Sequence, residues 1–148
     1  MKPKEKIILI DDNLYEVDLL NNALENLNAD YEIVYFSDGV DALNYFAKTK
    51  DTIFLVISDV HMPRMNGFEL RKVIDSHEKL KKKTIPFIFF SSSTKERDID
   101  EAYDCNVQGY FKKPMGLDET TELIHIIIKF FQRCLYPNKM EYHKYFQR

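Results

Sequence analysis

The chain has 148 residues, of which 45% are hydrophobic and 30% charged, the composition of a single folded globular domain and not of a disordered or membrane-spanning chain. Its 21 basic and 24 acidic side chains give a net charge of -3, so the overall charge gives no sign of a nucleic-acid-binding surface. No metal-ligand spacing surrounds the two cysteines, Cys105 and Cys134, and we expect free thiols in a reducing, cytoplasmic setting.

Short apolar segments of strand length recur along the chain, and a segment with helical spacing follows each of them. The five predicted strands are residues 7–10, 31–36, 53–57, 85–90 and 107–111. The first, third and fourth strands lack polar alternation, as expected of strands that are covered on both faces of a parallel sheet.

Apolar residues at steps of three and four predict an amphipathic helix after each strand. The first helix has Val17, Leu20, Leu24 and Leu27, the second has Val40, Leu43, Phe46 and Ala47, and the fifth has Leu123, Ile124, Ile127, Phe130 and Phe131. Ile126 and Ile128 lie beside the stripe of the fifth helix, which therefore has more apolar surface than its core face needs.

The third and fourth helices are predicted from their start signals, because a capping side chain is followed three residues later by Glu at positions 66–69 and 93–96. The basic segment 79–83 is expected at the C-terminus of the third helix, where cations favour the helix dipole. The fourth helix has few apolar anchors, Ile99, Ala102 and Tyr103, and an acidic side that we expect to be exposed, formed by Asp98, Asp100, Glu101 and Asp104.

Five repeats of a strand and a helix imply right-handed crossovers with helices on both faces of the sheet. We therefore predict an α/β fold, a doubly wound five-stranded parallel sheet in the flavodoxin-like order 2-1-3-4-5. Ligands of such folds bind beyond the carboxyl ends of the strands at the switch point, here between strands one and three. We expect one domain over residues 1–135 and a short tail over 136–148, with no output domain.

Three carboxylates are predicted to meet at this edge, since Asp11 and Asp12 end the first strand and Asp59 follows the third. Carboxylates a few ångströms apart repel by about 4 kcal/mol per pair at an effective dielectric constant near 20, so the cluster needs protons or a cation. Mg²⁺ binds one or two carboxylates together with waters and phosphate oxygens, which fits this set. Alternatively, Asp12 or Asn13 caps the first helix.

A hydroxyl and an ammonium are predicted at the same edge, because Ser91 ends the fourth strand and Lys113 follows the fifth. Catalysis of phosphoryl transfer consists mostly of positioning the reactants and neutralising the phosphoryl oxygens. A carboxylate can act as the nucleophile, while a metal ion, Lys113 and Ser91 can each hold one oxygen. The pattern therefore indicates a phosphoryl-transfer site.

Four motifs occur in a characteristic order along the chain. They are Asp11-Asp12, the segment DVHMPRMNG at 59–67, Pro86 five residues before Ser91, and YFKKP at 110–114. Together they resemble the receiver domain of two-component response regulators, over roughly residues 6–132. One departure is Asn66, which stands where the family usually has Asp and which caps a helix equally well.

The resemblance implies a signalling switch that uses magnesium. Asp11, Asp12, Asp59 and the backbone carbonyl of His61 would bind Mg²⁺, and Asp59 would accept a phosphoryl group from a histidine kinase or a phosphotransfer protein. The imidazole of His61 is expected to be an exposed loop side chain and not a metal ligand. In relatives, residues at the positions of His61 and Ser93 influence how long the phosphoryl group survives.

The resemblance also assigns Ser91 and Lys113 to phosphoryl binding, and Ser91 and Tyr110 to a conformational switch. We expect the weakly anchored fourth helix to be the surface that moves for an unknown downstream protein. Apart from its own phosphorylation and dephosphorylation, the chain is not expected to be an enzyme, and no nucleic acid or membrane is expected as a partner. The tail and the fifth helix are expected to pack on each other or to form a homodimer or partner surface.

Three other readings remain. A magnesium-dependent aspartyl phosphohydrolase would need a second aspartate two residues after its nucleophile, where this chain has His61 after Asp59 and Asn13 after Asp11. A flavin-binding protein of the same topology would need a loop that cradles phosphate where this chain has two carboxylates. The third alternative is an interaction module that keeps the fold without switching.

Overall fold

The computed structural model describes residues 3–83 and 85–136. Five parallel strands form a single sheet in the order β2-β1-β3-β4-β5, which confirms the predicted topology. The strands are β1 (Lys6–Ile10), β2 (Glu32–Phe36), β3 (Ile53–Ser58), β4 (Phe87–Ser91) and β5 (Gly109–Lys112). Every residue of β3 and β4 is buried, as the sequence predicted for strands that are covered on both faces.

Helices cover both faces of the sheet. They are α1 (Tyr15–Asn26), α2 (Gly39–Lys48), α3 (Gly67–Ser76), α4 (Glu78–Lys81), α5 (Glu96–Asp104) and α6 (Gly116–Arg133). Side chains of α1 and α6 pack in one core cluster with Leu9 and Leu55, whereas α2, α3 and α5 pack in another with Ile8 and Val56. Because neighbouring strand residues point to opposite faces, apolar strands without alternation serve both clusters.

Two sequence predictions about α6 and α3 are wrong in detail. The spacing predicts Phe130 on the core face of α6, but Phe130 is 60% exposed, while Ile128 is 5% exposed and follows Ile124 by one helical turn. The basic segment at 79–83 does not end α3, because α3 stops at Ser76 and a separate single turn, α4, includes Lys79 and Lys81.

The start of α5 also differs from the prediction. Its first residue is Glu96, and Lys95 precedes it without a side-chain capping bond, so the expected capping box at Ser93 is absent from this helix. Asp98 is expected to be exposed but is only 4% exposed, and Tyr103 is expected to anchor the helix but is 54% exposed. By contrast, the capping box at Asn66 and Glu69 is confirmed in α3.

The predictions about the C-terminal tail concern residues that the structure mostly does not describe. Residues 137–148, and with them most of the predicted tail, lie outside the described residues, so its packing and any homodimer stay predictions. Within residues 3–83 and 85–136, no helix is both long enough and apolar enough to cross a membrane.

Candidate functional site

Asp11, Asp12 and Asp59 lie together beyond the carboxyl ends of β1 and β3. The two strands pair with Ile10 beside Ser58, and the Asp59 N–H donates to the Ile10 carbonyl at 2.7 Å. One carboxylate oxygen from each aspartate lies within 4.8 Å of the other two. The predicted convergence of the three side chains is therefore confirmed, while their roles stay predictions.

Asp11 is the most deeply buried of the three, at 2% exposure. Its Oδ1 accepts the Asn13 N–H at 2.9 Å, and its backbone carbonyl accepts the hydroxyl of Tyr35 at 2.5 Å. Burial raises the pKa of the Asp11 carboxyl above its ordinary value, although Lys113 and the Asn13 N–H both act to lower this pKa. A bound cation would relieve the cost of keeping this carboxylate ionised.

Asp12 is exposed beside Asp11. The alternative that Asp12 or Asn13 caps the first helix is wrong, because the N-cap residue of α1 is Leu14 and no side chain caps this helix. Asn13 Oδ1 accepts the Tyr15 N–H at 3.1 Å from one residue before the cap. Asp12 is thus not a helix cap, and its carboxylate belongs to the acidic cluster.

Lys113 links the acidic residues from the other side of the crevice. Its Nζ lies 2.9 Å from Asp11 Oδ2 and 3.2 Å from Asp59 Oδ2. The Lys113 N–H donates to the Ser91 carbonyl at 2.8 Å, so the pairing of β4 with β5 extends past the strand end and places this side chain. Burial alone would lower the pKa of the Lys113 ammonium, but the hydrogen bond to Asp11 and the attraction of both carboxylates raise it overall.

The charges in the cluster do not balance. Three carboxylates and one ammonium leave two negative charges at neutral pH, and all the carboxylate donors are hard oxygen ligands. A divalent oxygen-seeking cation matches both the charge and the donor type. The residues present therefore fit a Mg²⁺-like ion.

Asp59 is held at the start of the loop between β3 and α3. Its Oδ1 accepts the Val60 N–H at 2.7 Å, and its backbone carbonyl accepts the hydroxyl of Ser58 at 2.8 Å. Gly67 packs directly behind it, where a Cβ would lie 2.4 Å from the Asp59 carbonyl oxygen and 2.7 Å from the ring of Phe89. Any larger residue at Gly67 would push on the backbone of the predicted phosphoacceptor.

Ser91 and Tyr110 are joined through a third residue, Ser93. Ser91 is buried at the end of β4, and its Oγ accepts the Ser93 N–H at 3.1 Å. Tyr110 is half-buried, and its hydroxyl donates to the Ser93 carbonyl at 2.7 Å. The structure thus brings both predicted switch residues to one loop, while the Ser91 hydroxyl bonds this loop and not the aspartates.

His61 has an exposed imidazole, as expected for a loop side chain, but it faces a specific partner. Its Nε2 lies 3.4 Å from Asp98 Oδ2 on α5, and the hydroxyl of Ser93 donates to the same oxygen at 2.5 Å. The hydrogen bond from the Ser93 hydroxyl lowers the pKa of the Asp98 carboxyl. Burial acts to raise this pKa, but the hydrogen bond and the attraction of His61 add to the effect of Ser93, and the pKa is lowered overall. Sequence reasoning missed Tyr35 and the role of Asp98, because neither residue belongs to a motif at a strand end.

Comparison with known proteins gives a consistent result. The family described as response regulator receiver domain matches residues 7–125. The probable methanogenesis regulatory protein FilR2 of Methanothrix harundinacea is 26% identical over 129 residues, which cover 84% of this chain and 82% of that protein. The putative two-component response regulator ARR21 of Arabidopsis thaliana is 27% identical over 81% of this chain, which spans only 18% of that protein's length.

Solved structures agree with the topology. The phosphorylated cyanobacterial phytochrome response regulator RcpA has a TM-score of 0.79 and 28% identity, over 90% of this chain and 98% of that one. The Mn²⁺-bound form of response regulator Rcp1 has a TM-score of 0.75 and 23% identity, over 90% of this chain and 98% of that one. At this lower identity the second likeness supports the fold alone.

Proposed function

The chain belongs to the response regulator receiver domain family, and we propose that it is a phosphoacceptor switch in which Asp59 takes a phosphoryl group with the help of Mg²⁺. Receiver domains act in two-component signalling, generally as switches and not as enzymes with a turnover of their own. The observation that carries the proposal is the convergence of Asp11, Asp12 and Asp59 within 4.8 Å, beside the single ammonium of Lys113.

The metal would be held by Asp11, Asp12, Asp59 and the backbone carbonyl of His61. The excess negative charge of the cluster and its oxygen donors support this assignment. When bound, Mg²⁺ neutralises the carboxylates and orients phosphoryl oxygens.

Asp59 supplies the nucleophile in the proposed reaction. One of its carboxylate oxygens forms a bond to phosphorus while the bond between phosphorus and the donor breaks, and a histidine imidazole of the donor protein leaves with its electron pair. The Lys113 ammonium, already 3.2 Å from Asp59 Oδ2, holds one phosphoryl oxygen. Ser91 can donate its hydroxyl proton to another, since this oxygen at present only accepts from Ser93.

The switch follows from the shared loop. If the Ser91 hydroxyl moves toward a phosphoryl group on Asp59, its bond to the Ser93 N–H must lengthen, and the Ser93 carbonyl also anchors Tyr110. Phosphorylation then shifts an equilibrium of the Ser91 and Tyr110 surface that exists beforehand. We propose that a downstream protein reads this surface.

The remaining parts of the proposal concern setting and partners. We propose that residues 1–135 form the receiver unit, that the protein works in the cytoplasm, and that the phosphoryl donor is a histidine kinase or a phosphotransfer protein. A phosphohydrolase is not favoured, because the residue two positions after Asp59 is His61, whose imidazole is directed at Asp98.

The test is phosphorylation by a small-molecule phosphodonor, followed by intact mass. We expect the wild-type protein and an Asp30→Asn control to gain one phosphoryl mass with Mg²⁺ present, because Asp30 is an exposed surface partner of Lys4. Asp59→Asn and wild-type protein in a chelator should gain none. A gain of the same mass by Asp59→Asn would sink the assignment.

A further inference from the structure

Asp98 differs from the other acidic residues of α5. It is 4% exposed, whereas Asp100 and Asp104 on the same helix face solvent. One atom, Asp98 Oδ2, accepts the Ser93 hydroxyl at 2.5 Å and lies 3.4 Å from His61 Nε2. A single carboxylate oxygen on α5 therefore contacts two loops, one after β3 and one after β4.

Both contacted loops carry residues of the proposed site. His61 lies two residues after Asp59, and Ser93 lies two residues after Ser91. Ser93 uses all its polar groups, since its N–H donates to Ser91, its carbonyl accepts from Tyr110 and its hydroxyl donates to Asp98. A displacement of Asp98 that moves Ser93 would therefore also change the hydrogen bonds of Ser93 to Ser91 and Tyr110.

The apolar packing of α5 makes this polar link important. Ala102 is the only apolar residue within α5 that exposes less than a tenth of its surface. A hydrogen bond to a buried ionised group is stronger than a neutral one, and its loss leaves a desolvated partner. The bond from Ser93 to Asp98 thus adds a polar anchor in the first turn of α5.

We propose that Asp98 is a positioning residue that ties the β4–α5 loop and His61 to α5 and thereby keeps both loops closed beside Asp59. The inference rests on the proposed function, because it concerns the lifetime of a phosphoryl group at that residue. Loosening the two loops would admit water to the aspartyl phosphate, and the phosphoryl group would be lost faster.

The first experiment needs no phosphorylation. Amide hydrogen exchange is compared for the wild type, Asp98→Ala, Asp98→Asn and the exposed control Asp100→Ala. We expect exchange over residues 92–97 to be about tenfold faster in Asp98→Ala, because the Ser93 hydroxyl loses its acceptor. Exchange in Asp98→Asn should fall between the wild type and Asp98→Ala, because an amide oxygen can still accept this bond but forms a weaker, neutral one. Equal exchange in Asp98→Ala and Asp100→Ala would overturn the link, as would an Asp98→Asn variant as fast as Asp98→Ala.

The second experiment measures decay of the phosphorylated protein. We expect a several-fold shorter lifetime for Asp98→Ala, an unchanged one for Asp100→Ala, and no further shortening when Ser93→Ala is added to Asp98→Ala, because the two residues act through one bond. An unchanged lifetime in Asp98→Ala, or fully additive effects, would refute the positioning role. If wild-type Asp59 takes no phosphoryl group, the proposed function fails, and the exchange experiment still tests the link.

Discussion

The two sides of the crevice are built in different ways. The acid side, formed by Asp11, Asp12, Asp59 and Lys113, is placed by the backbone, because its residues directly follow strands β1, β3 and β5 of one hydrogen-bonded sheet. The hydroxyl side, formed by Ser91, Ser93, Asp98 and Tyr110, is held together by side-chain hydrogen bonds that meet at Ser93. The acid side should therefore be stiff, and the hydroxyl side should be the one that rearranges.

The largest expected effect comes from overpacking the acid side with Gly67→Ala. The new Cβ would lie 2.4 Å from the Asp59 carbonyl oxygen, so the backbone of Asp59 or the start of α3 must shift. We expect a loss of about 1–3 kcal/mol in the free energy of unfolding. Calorimetry should also show weaker Mg²⁺ binding, since the displaced backbone carries a predicted ligand.

Gly116→Ala is the matched control, because Gly116 has a φ of 76° and open space around its Cβ position. We expect a conformational cost of about 1 kcal/mol there, with Mg²⁺ affinity unchanged. If both alanine variants bound Mg²⁺ as the wild type does, the backbone behind Asp59 would be flexible, and the acid side would not be stiff.

The same division explains how much the sequence could predict. Apolar strands without alternation and helical spacing indicate a doubly wound parallel sheet, and the common strand order of such folds places Asp11 beside Asp59, with Lys113 at the same edge of the sheet. The sequence could not show that Asp98 turns inward, because its position on α5 has the same residue type as exposed Asp100 and Asp104. Whether such a carboxylate is buried depends on a loop hydroxyl five residues earlier, a contact with no fixed spacing.

A pair of tyrosines allows a balanced test of the two sides. Tyr35 donates its hydroxyl to the Asp11 carbonyl at 2.5 Å, and Tyr110 donates its own to the Ser93 carbonyl at 2.7 Å. Tyr35→Phe and Tyr110→Phe each delete one such bond, and we expect each to cost about 1 kcal/mol by urea unfolding. Only Tyr35→Phe should weaken Mg²⁺ binding, while only Tyr110→Phe should alter hydrogen exchange in the β4–α5 loop.

The readouts of the two variants are measured on the same samples, so general destabilisation cannot account for a difference between them. Weaker Mg²⁺ binding in Tyr110→Phe would show that the two sides are coupled even without phosphorylation, and would contradict their independent construction.

The smallest expected effect concerns a side-chain ion pair that supports the loop beside the acid side. The loop after Asp59 is tied to the N-terminus of α2, where Asp38 accepts the N–H groups of Val40 and Asp41 and forms an ion pair with Arg64. Burial alone would raise the pKa of the Asp38 carboxyl, but the Arg64 guanidinium and the two N–H groups lower it below the ordinary value of 3.8. The stabilisation from ionised Asp38 is therefore fully present above that value and is lost as pH falls through the lowered pKa.

Asp38→Asn isolates the charge, because the amide oxygen can still accept the two N–H groups. At neutral pH we expect this variant to be less stable than the wild type by under about 1 kcal/mol, since Arg64 is solvent-exposed. The gap should shrink as urea unfolding is repeated at pH values below the ordinary pKa of Asp38, and it should close once the pH is below the lowered pKa, where the folded wild-type carboxyl is neutral as well. Asp41, the other carboxylate that faces Arg64, serves as the control, and Asp41→Asn should produce a smaller gap because this residue is exposed. A gap for Asp38→Asn that stayed constant from neutral to acidic pH would mean that capping geometry, and not the ion pair, anchors this loop beside the acid side.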